Sequence, residues 1–386
     1  MTKYLKLFVG AMALLLVLNV GCSPQGITSS VPNNNENKII PTLTIAPPIA
    51  SSPAVSIITP TVINTNTSIE MQVPYSKNSI WNTPIGESPK YDLHSGEMIS
   101  NLVLSHKGQI ITAGEAYNYP VYFADEQTPR WDIPCTVNMC TIANSDQDVI
   151  RTDMVQNVPI PVDAHPGEDT DARMIIIDKL TLTEYDLSKA QRTTIGWTAG
   201  TVSIYNILWD GTPVKHSSRG SGIPAYAGLL RPWEIRQGRI EHALAFGYTE
   251  PAEGKCVFPA SKTDGNSPMY FAIPEGARLQ LDPSLTEKDF DRMGLDKTGK
   301  IIARALQEYG MISVDHSGSF KIYVEDLTNN PYATENWTDP ELNLTKESIY
   351  NIPYNSFRVL ELPPAYWDPS VDAFYHGKCL TFPNEP

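Results

Sequence analysis

The chain has 386 residues and carries 29 Lys and Arg against 43 Asp and Glu, a formal net charge of −14 at pH 7. That balance excludes charge-driven binding to nucleic acid or to an anionic membrane face, since both polyanions demand a basic surface. The length leaves room for one large domain with a sizeable core, more readily than for two.

Residues 1–22 place Lys3 and Lys6 ahead of an apolar run from Leu7 to Val20, with small Gly21 before Cys22. This is the pattern of a secretory signal, too short and wrongly flanked for a lasting transmembrane helix. The ending Val20-Gly21-Cys22 resembles a bacterial lipobox, which implies cleavage before Cys22 and lipidation of its thiol. Ordinary secretion with a free Cys22 is the alternative. Loss of Lys3 and Lys6 with the signal leaves 27 basic against 43 acidic residues, or −16. From Ser23 to Glu70 the composition turns to Ser, Thr, Pro and Asn, with Glu36, Lys38 and Glu70 the only charges. No amphipathic period runs through it and prolines recur, so 23–70 reads as a flexible stalk. Fully stretched, it reaches on the order of 150 Å at ~3.3 Å per residue.

Residues 71–386 read as one globular, β-rich domain. Apolar runs and alternation predict strands at 109–112, 119–123, 173–178, 201–208, 241–247, 269–273, 277–281, 311–315, 320–324 and 356–361. The clearest helix is Lys300 to Tyr309, with Ile301, Ile302, Ala305 and Leu306 on one face and Gly310 placed as its cap. A shorter one starts at Pro232 and ends at Gly238. Many strands, turn-rich connections and few helices predict a mainly β fold, a jelly-roll-like β-sandwich.

Besides Cys22 there are Cys135, Cys140, Cys256 and Cys379, an even set in an exported domain. Proximity suggests a small-loop disulfide Cys135–Cys140, leaving Cys256–Cys379 to tie the tail to the body, one of three possible connectivities. Zinc is the rival reading, and no histidine stands at ligand spacing to support it.

The stretch from Gly222 to Phe246, GIPAYAGLLRPWEIRQGRIEHALAF, gathers three Arg, two Glu and a His around a buried strand. His242 shares a face with Leu244 and Phe246. It is either a core histidine satisfied by hydrogen bonds or a general base or acid at the floor of a concave sheet. Asp315, ending the run Met311 to Asp315, is either a turn-former or a site residue at a strand mouth. Arg231 could fork onto a substrate's carboxylate or hydroxyls, or bridge to Glu234 three residues on. Both strands follow a glycine-capped helix, so they are expected side by side or facing one another, with catalytic His242 and Asp315 opening onto one cleft. No nucleophile elbow, P-loop or HExxH is present, and the Gly/Ser-rich run Ser217 to Gly222 reads as a loop.

This stretch, with Asn78 to Ile85 (NSIWNTPI), Ala172 to Asp178 (ARMIIID) leading to Glu184-Tyr185-Asp186, and Ala303 to Asp315 (ARALQEYGMISVD), resembles a broad family of secreted bacterial proteins of unknown biochemical role. The match spans most of 74–360 and implies domain limits more than an activity. The chain departs from that pattern at His316-Ser317-Gly318, where an Asn-Gly is expected, and at Arg173, where a His is expected.

Trp81-Asn82, Trp131-Asp132, Trp209-Asp210 and Trp367-Asp368 each set an indole beside a polar side chain. Sugar platforms are built this way, and Trp81 with Asn82 is the pair expected to bind substrate, although such tryptophans also plug cores. The acidic loop Asp163 to Asp171 offers oxygen ligands for calcium, without EF-hand spacing, against a plain solvated loop. No other cofactor or metal is expected. The sequons at Asn66, Asn336 and Asn343 match N-x-[ST] and carry little weight if the host is bacterial. Two functions remain. One is a tethered carbohydrate-active enzyme, a glycoside hydrolase or polysaccharide lyase acting on an extracellular or cell-wall polysaccharide. The other is a non-catalytic glycan-binding or structural surface lipoprotein. In both, contact with the membrane is through the lipid anchor only.

Overall fold

The computed structural model describes residues 72–105, 109–112, 118–145, 148–212, 218–363, 365–367 and 380–381. The expected signal, Cys22, the 23–70 stalk, Cys379 and the side chain of Trp367 lie outside the described residues.

Two six-stranded sheets carry the described unit. One runs in the order Ile111–Thr112, Lys321–Ile322, Leu244–Tyr248, Met311–His316, Arg278–Leu281, Phe357–Val359. The other runs Val121–Ala124, Met174–Asp178, Thr183–Ser188, Thr201–Asn206, Cys140–Ser145, Asp148–Thr152. The protein is therefore mainly β. Both sheets are mixed, however, whereas a jelly roll is antiparallel throughout. Leu244–Tyr248 runs parallel to Met311–His316, with Leu244 opposite Met311, and Val121–Ala124 runs parallel to Met174–Asp178. Of the two arrangements expected for the first pair, side by side or facing one another, the structure has the first. Each strand leaves a helix at the same end of the sheet, so the two enter it in one direction.

The helices follow their local signals. Pro232–Gln237 ends on Gly238 at φ 82°, and Lys297–Glu308 is capped by Asp296, whose carboxylate accepts the Gly299 N–H at 2.7 Å. That cap moves the start three residues ahead of the expected Lys300. Two further helices, Ser95–Ser105 and Glu287–Arg292, were not expected, and the expected strand at 269–273 is a turn. The strand Thr183–Ser188 was also missed, because Glu184 and Asp186 are buried within it and break the apolar pattern.

Alternation along the strands sorts their side chains into layers. Leu244, Phe246 and Tyr248 pack with Ile235, Ile302 and Leu306 of the helices in one core. Ala245, Ile312 and Val314 of the first sheet share a second core with Ile175 and Ile177 of the other. Met174 and Ile176 face a third, which includes Ile133 and Val158 of the Arg130–Pro134/Met154–Pro159 ribbon. At ~25 cal/mol per Å² of apolar surface removed from water, these cores are the main stabilising term.

Cys135 and Cys140 form the expected disulfide. Cys256 is disulfide-bonded as well; its expected partner Cys379 is outside the described residues. Strand 365–367 pairs with Cys256–Val257 on one side and with 380–381 on the other, so the backbone of the tail lies beside Cys256.

Candidate functional site

Arg231, Glu234 and His242 meet. Helix Pro232–Gln237 carries Glu234 back over its own start, where one carboxylate oxygen accepts the Arg231 N–H at 2.9 Å. The other accepts from the Arg231 guanidinium at 2.9 Å and lies 2.8 Å from Nε2 of His242. Nδ1 of His242 lies 2.8 Å from the Ala243 carbonyl oxygen, so both ring nitrogens have a partner within the fold. All three groups are buried. Burial would raise the Glu234 carboxyl, but the Arg231 guanidinium and His242 bring it down to about 2. This is a closed ion network within the fold. The expected opening of His242 onto a cleft shared with Asp315 is corrected: His242 precedes its strand, whereas Asp315 lies opposite Gly247, three residues into it.

The run Ser218 to Tyr226 is a loop, as expected, and it is buried except at the half-buried Gly220. Its backbone needs partners, and Glu184 and Asp186 supply them. Asp186 accepts the Ala225 N–H at 2.8 Å and the Ser218 hydroxyl. Glu184 accepts the Tyr226 N–H at 2.9 Å and the Tyr75 hydroxyl at 2.8 Å. Burial, then the neighbouring Asp186, pushes the Glu184 carboxyl well above its usual range. Arg219 donates to the Ala225 and Ala227 carbonyls and lies over the rings of Tyr119 and Tyr323, which are themselves stacked at 5.3 Å.

Asp315 sits in a cavity of about 450 Å³ with Tyr119, Asp171, Arg173, Asp264 and Lys321. It accepts the Gly220 N–H at 3.1 Å and the Tyr323 hydroxyl at 3.3 Å. Burial, then the charge of Asp264, raises its carboxyl to about 6. Burial lowers the Lys321 ammonium to about 8. Four aspartates line this cavity against Arg173 and Lys321, so it favours cations over anions. The expected calcium loop contributes Asp169 and Asp171 to it. Asp169 is tied into a turn by the Asp171 and Ala172 N–H groups, and Asp171 lies 3.5 Å from Arg173. Asp264, Glu275 and Asp315 each offer an oxygen within 4.8 Å of the others.

A larger groove, of about 630 Å³, opens beside the short helix, walled by Phe123, Gln127, Trp233, Glu325, Tyr332 and Glu335. Tyr332 is half exposed. The Trp233 ring carries the Arg231 guanidinium at 5.3 Å, and its indole N–H is buried with no acceptor. Burial, opposed by Arg231, raises the Glu325 carboxyl to about 8. Arg236 pairs with Glu335 at the rim.

Trp81 and Asn82 are not a platform. Trp81 is 1 % exposed and its indole donates to the Gly211 carbonyl at 3.1 Å. The Asn82 amide donates to the carbonyls of Pro74, Tyr75 and Ser76. Both tie the start of the domain to its core, because a fully buried indole has no face left for a sugar. Trp233 stands before an acid, as three of the four selected tryptophans do, so the signal was present with Glu admitted to the pattern. Glu275, between Pro274 and Gly276, carries the local signature of a turn and nothing else.

No protein-family model, curated protein or solved structure matches the chain. Fold and cavities alone define the class: a mainly β protein with an aromatic-walled groove and a separate carboxylate-lined pocket.

Proposed function

We propose that the protein is a glycan-binding surface protein, exported and held to the membrane through Cys22 and the 23–70 stalk. In this reading the two sheets stack as a sandwich, and the groove beside Trp233 takes the sugar chain. The observation that carries it is the groove itself, whose wall presents Trp233, Phe123 and Tyr332 together. Sugars offer apolar ring faces for such aromatics. The lack of convergence of His242, Arg231 and Asp315 on one cleft favours binding over catalysis. Hydrolysis is the second reading, favoured by Glu325: its carboxyl near 8 keeps a proton at neutral pH, as a general acid requires.

Affinity electrophoresis of the full chain in a β-1,4-glucan, a xylan, a galactomannan and a polygalacturonate tests this. At least one neutral polymer should retard the protein. Trp233→Ala and Tyr332→Ala should each weaken retardation about tenfold, the ~1.4 kcal/mol expected of a lost ring contact. No retardation by any polymer, or retardation that both variants retain, would end the proposal. Reducing ends released by wild type and lost in Glu325→Gln would establish the hydrolytic reading instead.

A further inference from the structure

We infer that Asp264, Glu275 and Asp315 form a binding site for a hard divalent cation of the calcium type. The site lies at and behind the second pocket and does not depend on the glycan reading of the groove.

The oxygens of the three carboxylates lie within 4.8 Å of one another. That is about the span of two calcium–oxygen bonds of ~2.4 Å meeting at one ion. Glu275 is 0 % exposed, and no donor reaches either of its buried carboxylate oxygens in good hydrogen-bond geometry, its close polar neighbours being Asp264 and Thr263. A carboxylate in that position requires a cation or a proton, since an uncompensated charge away from water is among the costliest features a fold can hold.

The protein's own cations meet that requirement only in part. The buried Lys262 ammonium faces all three carboxylates, which still outnumber it. Arg219, beneath the pocket, gives both terminal nitrogens to the Ala225 and Ala227 carbonyls. Arg173 gives one to the Ser218 carbonyl and faces Asp171. The neighbouring donors are neutral and orienting. The Gly220 N–H and the Tyr323 hydroxyl each hold one oxygen of Asp315, and the His316 N–H holds one of Asp264 at 3.0 Å. Each leaves lone pairs free for metal. Gly220 permits this approach, because a Cβ there would meet the Asp264 carboxylate.

The ligand chemistry selects the ion. Three carboxylates without a His or Cys donor suit calcium or magnesium rather than zinc. The exposed Asp264 leaves a side open to water, which would fill the remaining positions.

The test is calorimetric titration of the chelator-stripped full chain with CaCl2, and in parallel with MgCl2 and ZnCl2, alongside thermal melting in the same salts. Calcium should bind at one site and raise Tm by at least about 3 °C at saturation. Asp264→Asn and Glu275→Gln should each weaken calcium at least about tenfold, whereas Asp169→Asn, in the nearby loop, should change it less than about twofold. Asp264→Asn alters an exposed side chain, so its reading stands even where Glu275→Gln fails to fold. Absence of heat and of a melting shift in all three salts would overturn the inference. So would calcium binding that Asp264→Asn leaves intact, or that Asp169→Asn removes.

Discussion

Glu234 shows how one side chain can be fixed by both near and distant neighbours. Arg231 holds it from one helical turn away, and His242 holds it from the far side of Gly238. Its carboxyl, near 2, lies below the ordinary range of ~4.3. A depressed acid stabilises the fold above its unfolded pKa, and that contribution is lost as pH falls through the folded one. Wild type should therefore lose roughly 3 kcal/mol of stability from this group between about pH 4.5 and 2. Glu234→Gln should cost about 3–5 kcal/mol at pH 7, because Arg231 is left charged and buried without a carboxylate. Urea unfolding from pH 7 to pH 2 checks both. A variant as stable as wild type at pH 7 would show that the network contributes nothing to the fold. The same closure explains why His242 was a poor guide to a site: both its ring nitrogens are taken up by partners within the fold.

At the scale of elements, Gly238 and Gly310 each follow a helix and each lead into one of the paired strands. Both have positive φ, 82° and 69°. Their surroundings differ. A Cβ at Gly238 would meet nothing within 4 Å, whereas one at Gly310 would lie 2.3 Å from the Leu279 carbonyl oxygen. Gly238→Ala should then cost only the left-handed penalty of ~1–2 kcal/mol. Gly310→Ala should cost at least about 2 kcal/mol more, since strand Arg278–Leu281 must move away. Equal losses in chemical denaturation would contradict this account of the corner.

For the whole molecule, the proposed lipidation at Val20-Gly21-Cys22 implies attachment. Cys22→Ser should move the protein from the membrane fraction to the soluble one, because no thiol remains to carry lipid. Unchanged membrane retention would remove the lipoprotein proposal while leaving the groove and the cation site standing. With its stalk, such an anchor would hold the domain near the cell surface, where glycans and calcium are both at hand.

What the sequence determined by itself is what short range decides. Pro232 and Gly238 delimit a helix, the Met-Ile-Ile-Ile run makes a buried strand, and Cys135 and Cys140 are close enough along the chain to close on each other. Even the pairing of Leu244–Tyr248 with Met311–His316 was legible, because two like helix-to-strand corners feed strands into a sheet in one direction. Only the tertiary structure decided which polar groups meet. Asp264, Glu275 and Asp315 come from three separate segments and look like turn residues one at a time. Trp81 and Trp233 are equally indole-rich as text, and burial separates them: one is sealed beneath Gly211 and the other walls a groove. Local signals report backbone preference over a few residues, whereas a site is a convergence of side chains across sheets, and that is set by which faces pack together.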